Sequence, residues 1–193
     1  MSIFLVIAPF AAFSLLMLAA SATVSLFAAA AICLAVISYD IARGRSIKIL
    51  AAGPMILFAM LGVYLTFIDT GMSNSAVKLA VDAGVLAISL TSIVLRFPFT
   101  LQYAREMVDT ETANLPGFVR ANYIITSAWT AAFLLMMIAN VLLICVPGLP
   151  LWSGLVIAFA ARNSAAYFTK WYPAYRRAKY GASPAPLNAL PGT

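Results

Sequence analysis

Three polar side chains interrupt long apolar runs: Asp82, Asn140 and Arg162. An ionisable group in hydrocarbon is costly, so each has to face protein, a lipid headgroup or water. Within a transporter, Asp82 would be a proton or cation site. The alternative is packing, in which Asp82 and Asn140 are polar contacts between helices and Arg162 snorkels to the cytoplasmic headgroups. Counted along the chain, none of the three lies central enough to demand a pathway. Packing is therefore the expectation, and transport the competing reading.

Other chemistry is poorly provided for. The 193 residues contain no histidine, which removes the commonest metal ligand and the commonest general base. Cys33 and Cys145 both sit inside apolar runs and read as small hydrophobes rather than a disulfide or redox pair. There is no P-loop, glycine fingerprint, HExxH or nucleophile elbow. Ser89, Thr91, Ser92 and Thr126 are expected to bond their own helix backbones. No catalytic, cofactor-binding or metal-binding residue is expected, and an enzyme acting on lipid ranks below the other readings.

The elements that would position the three polar residues follow from composition. The chain is 64% hydrophobic and 9% charged, with a mean hydropathy of +0.99, far from the roughly 25% charged of soluble domains. It reads as an integral membrane protein of about six spans. Residues 2–38 carry no charge. One helix of that length would be about 55 Å long against a hydrocarbon core of about 30 Å, so the run must fold back on itself. "AASAT", residues 19–23, is the expected break. The spans are then 2–18, 22–39, 50–68, 77–96, 121–146 and 150–169. "ASA" at 20–22 also fits a signal-peptide cleavage site, but no lysine or arginine precedes the apolar stretch.

Basic residues orient the spans. Arg43, Arg45 and Lys48, then Arg96, Arg105 and Arg120, then Lys170, Arg176, Arg177 and Lys179 all fall on one side if the spans alternate. Lys78 is the exception in an opposite loop. Both termini are thus expected in the cytoplasm of a cell with this protein in its inner membrane.

Between the fourth and fifth spans, "LRFPFTLQYAREMVDTETANLPGFVRANYIIT" mixes charge with apolar side chains. Wound as a helix, Phe99, Tyr103 and Met107 share an arc with Leu101, Ala104 and Val108, while Gln102, Arg105 and Glu106 face away. That pattern predicts a short helix lying in the cytoplasmic interface over Phe99 to Val108, within a segment of about 97–118 that "NLPG" ends. An ordinary loop is the alternative. The tail "KWYPAYRRAKYGASPAPLNALPGT" begins with aromatic and basic anchors and turns rich in Pro, Ala and Gly. The organisation expected is an all-α transmembrane domain at 1–170 and a juxtamembrane anchor with a disordered tail at 171–193.

The middle of the chain resembles a known family. "SATVSLFAAAAICLAVISYDIARGRSIK" is similar to an Ala-Thr-headed span closing in a basic loop, and "FAMLGVYLTFIDT" supplies Phe58, Gly62, Leu65, Thr66 and Asp69. "SAWTAAFLLMMIANVLL" adds Trp129, Phe133 and Asn140. Over about residues 22–160 these resemble the intracellular septation protein A family of inner-membrane-spanning envelope proteins. "SNSAVKLAVDAG" departs from the family, keeping only Lys78 of a basic and aromatic stretch. The resemblance implies a non-enzymatic protein that maintains the cell envelope or assists division through contacts within the membrane, with division or wall-synthesis proteins or further copies of itself as partners. The lipid bilayer is its surroundings, and nucleic acid is not an expected partner. Small residues, Ala28, Ala31, Gly84, Ala87, Gly154 and Ala158, would let helices approach closely. A small-solute permease or transporter subunit is the alternative function.

Overall fold

The computed structural model describes residues 3–146 and 148–180, and among these every regular element is a helix. In chain order they are α1 (Ile3–Ala19), α2 (Ala22–Ala42), α3 (Ile49–Phe67), α4 (Asn74–Val94), the short α5 (Phe99–Arg105) and α6 (Thr110–Asn114), α7 (Pro116–Cys145) and α8 (Leu151–Tyr180). Local chemistry sets the breaks. Ser21 is extended and its Oγ accepts from the Val24 N–H at 3.3 Å, which caps α2 at the expected fold-back. Ser73 does the same for α4 through Ala76. Gly44, at φ +68°, takes the left-handed conformation that lets α2 turn toward α3. Pro116 opens α7, where a missing N–H costs nothing.

The long helices pack on one another in sequence, α1 on α2, α2 on α3, α3 on α4, α4 on α7 and α7 on α8, with α5 against α7. Phe13, Leu26, Phe58, Val77 and Val81 form the main core, and the Phe58 ring lies 5.7 Å from Phe10 and 5.5 Å from Phe13 between centroids. A second cluster of Ala132, Ala161 and Ala165 seats α8 on α7 beside Trp129 and Met136. Glycine lets backbones close in at two contacts: Gly62 faces the Phe27 ring and Gly84 faces Leu57. Gly154 likewise lies against Leu143, whereas Ala31 and Ala87 are exposed.

The outside is apolar. Phe67, Val94, Leu155 and Phe159 are each more than 70% exposed, a surface suited to lipid rather than water. By length and composition α2, α3, α4 and α7 can cross a membrane. The apolar stretch of α1, Ala8–Ala19, is shorter, and α8 carries Arg162, Lys170, Arg176, Arg177 and Lys179 along its length.

Several expectations need correction. The helix after the fourth run ends at Arg105, and α6 follows it before "NLPG". Gln102, assigned to the polar arc, is buried. Helix α8 runs through Pro173 to Tyr180, so the segment expected as an anchor from residue 171 continues that helix as far as Tyr180. The remainder of that segment, 181–193, lies outside the described residues. Ser92 bonds its own helix backbone as expected, whereas the hydroxyls of Ser89 and Thr126 reach other helices: Ser89 shares a hydrogen bond with Thr130 at 2.6 Å, and Thr126 one with Thr100 at 2.7 Å. These bonds tie α4 and α5 to α7.

Candidate functional site

The structure brings Asp82 and Asn140 together. Asp82 stands two turns into α4 and Asn140 near the far end of the neighbouring α7, so antiparallel packing brings them to the same level. The Asn140 amide donates to the Asp82 carboxylate. Arg162, on α8, and Lys78, one turn before Asp82, both act on that carboxylate electrostatically. Neither is among the ion pairs of the described residues. All four side chains line one cleft of about 1540 Å³ bounded by α1, α4, α5, α7 and α8. That exceeds the ~300–1,000 Å³ of ordinary small-molecule sites. Arg162 therefore faces a shared polar patch inside the cleft as well as any route to headgroups.

A second constellation escaped the sequence reading. Lys48 is fully buried, and its Nζ lies 2.9 Å from Asp40 Oδ2 and 2.9 Å from Glu106 Oε1. Asp40 comes from the last turn of α2, Lys48 caps α3 and Glu106 caps the end of α5. The second Asp40 oxygen faces Arg45 at 3.5 Å, and the Tyr103 ring lies 5.4 Å from the ammonium. Gln102 joins from the same helix, its Oε1 accepting the Ile49 N–H at 2.8 Å, which satisfies an orphan donor at the start of α3. Burial, reinforced by the Asp40 and Glu106 carboxylates, holds the Tyr103 phenol above its ordinary range. Each carboxylate is committed to a cation, so the cluster is built to hold α2, α3 and α5 together. The signal that could have found it is an aspartate closing an apolar run eight residues before a lysine.

The remaining sequence candidates divide between these two places. Phe99 is buried, Tyr103 and Glu106 belong to the ion-pair cluster, and Arg105 is exposed with its guanidinium 5.9 Å from the Phe97 ring. At α6, Asp109 accepts from Thr112 N at 2.7 Å and from its hydroxyl at 3.0 Å, and these bonds lower the Asp109 carboxyl below its ordinary value. Cys33 and Cys145 are both free thiols. Among the described residues no group of three His, Cys, Asp or Glu side chains is placed to hold a metal ion. No family model, curated protein or solved structure matches the chain.

Proposed function

We propose that the chain is a non-enzymatic protein of the bacterial inner membrane, spanning it six times with both termini cytoplasmic, that serves cell-envelope maintenance or septation through contacts made within the bilayer. The observation that carries this reading is the use to which the family-like residues are put. Phe58 and Leu65 are buried in the core, Gly62 admits Phe27, Trp129 donates to Thr169 of α8 at 2.9 Å, and Asn140 donates to Asp82 of α4. These five build contacts between helices, whereas Thr66 donates to the Gly62 carbonyl of its own helix and Asp69 accepts from the Gly71 N–H in the loop that follows. The proposed orientation is supported by the convergence of the basic segments at one end, where Lys48 pairs with Glu106 and Arg176 donates to the Gly117 carbonyl. With 17 residues, α1 is at the lower limit of a span, and the 30 residues of α8 suffice for a span and a cytoplasmic arm.

Affinity capture of the detergent-solubilised protein tests the reading. Recovery of division or wall-synthesis membrane proteins is expected. Their absence, together with solute movement by the purified protein in liposomes, would contradict it. Reporter fusions test the topology: those after Gly44, after Asp109 and at the C-terminus should report cytoplasm, and one after Gly71 the far side.

The second reading, a small-solute permease, is favoured by one observation. Asp82, Asn140 and Arg162 face a single cleft, as a site within a transport pathway would require.

A further inference from the structure

The cleft changes character along its length. At the end near α5, α6 and the last turns of α8 it is lined by Arg45, whose Nη1 faces Asp40 at 3.5 Å, and by Arg176 and Arg177, and the carboxylate lining it there, Glu106, is already engaged by Lys48. Deeper in, Phe99, Ile125, Trp129 and Phe133 provide mostly apolar walls, and the polar Thr100, Asn122 and Thr169 that join them are hydrogen-bonded within the protein. Among the charged side chains of α8 that line the cleft, Arg162 marks the next level, 14 residues before Arg176, or about 21 Å along the helix; Lys170 lies between them outside the lining. Half of a bilayer core is about 15 Å. The apolar stretch between the two charged levels is therefore long enough for one leaflet's acyl chain.

We propose that this half of the cleft holds one anionic phospholipid, its phosphate against Arg45 and Arg177 and an acyl chain lying along α7 toward Phe133. The charge balance at the mouth selects the anionic headgroup, because basic pockets between membrane helices on the cytoplasmic side draw acidic lipid by attraction as well as by apolar burial. A partner's transmembrane helix fits less well. It would continue past the acyl-length stretch to the level of Asp82 and Arg162 and would have to meet both charges there. The inference rests on the membrane placement proposed above and not on the envelope role.

The test uses the full chain in nanodiscs of phosphatidylcholine alone or with phosphatidylglycerol, followed by native mass spectrometry of the retained lipid. One phosphatidylglycerol per chain should survive delipidation, and phosphatidylcholine should not. Each arginine removed should weaken retention about fivefold, so Arg45→Gln with Arg177→Gln lowers it about 25-fold. Ala121→Trp, which puts a bulky ring into the cleft lining where the acyl chain would lie and leaves the arginines in place, should also displace the lipid. If circular dichroism shows the double variant unfolded, Ala121→Trp decides. Equal retention of both lipids, phosphatidylglycerol retention unaltered by Ala121→Trp, or a dimer in pure phosphatidylcholine that Ala121→Trp dissociates would overturn the proposal. A capture experiment that returns no envelope proteins while phosphatidylglycerol is retained would refute only the envelope role.

Discussion

Lys48 and Glu106 are 58 residues apart in sequence, yet their side chains meet at 2.9 Å, with the lysine fully buried and the glutamate side chain 25% exposed. This contact joins the α2–α3 loop to the short helices that precede α7. It belongs to a network rather than an isolated pair, since Asp40 holds the same ammonium from the other side.

Removing the shared cation should therefore be severe. Lys48→Met leaves Asp40 buried beside only the more distant Arg45, and losing one partner of a buried pair costs about 3–5 kcal/mol. Glu106→Gln should cost less, because Glu106 is partly exposed and Asp40 still compensates the lysine. Thermal unfolding in detergent should rank the two in that order, and equal losses would contradict the network.

Tyr103 gives the cluster an alkaline signature. Its folded-state pKa is raised by burial and by the nearby carboxylates, so its contribution to stability is fully present below the unfolded value of about 10 and falls as pH rises beyond it. Tyr103→Phe should flatten that part of the fall. Unfolding midpoints compared at neutral pH and above pH 10 measure the difference, and identical pH slopes in the two proteins would refute it.

The helical elements were legible in the sequence because an uncharged run longer than the bilayer must fold back, and Ser21 marks where. The Asp82–Asn140 contact was legible too, since depth along antiparallel helices can be counted. The Asp40–Lys48–Glu106 cluster was not. Its members come from three elements, and periodicity within one segment says nothing about which of its faces a distant lysine will meet. The same limit explains Gln102, whose polar side chain reads as solvent-facing until the unpaired Ile49 N–H is placed beside it. Pro173 suggests a helix end by its missing N–H, but α8 continues through it to Tyr180.

Cysteine accessibility tests the orientation of α5. In a background with Cys145 replaced, Arg105→Cys should react readily with a water-soluble maleimide, and Gln102→Cys should be protected. Equal reaction rates would mean that α5 does not dock on α3 as described.

Packing at Gly84 offers an independent check on the α3–α4 contact. A Cβ there would run into the Leu57 side chain, so Gly84→Val should destabilise by about 1–3 kcal/mol, the usual cost of overpacking. Leu57→Ala in the same chain should recover part of the loss. Additive losses would show that the two positions do not meet.

On the proposed reading, Asp82 serves contact between helices and does not carry a proton. An interhelical hydrogen bond of this kind is worth about 0.6–2 kcal/mol, and an amide at position 82 can still bond Asn140 but cannot titrate. The direct measurement pairs thermal stability with a cell-envelope phenotype for Asp82→Asn and Asp82→Leu. Asp82→Asn should retain most of both, while Asp82→Leu, which strands the Asn140 amide, loses more of each. A stable but wholly inactive Asp82→Asn protein would contradict the claim and make the permease the better reading.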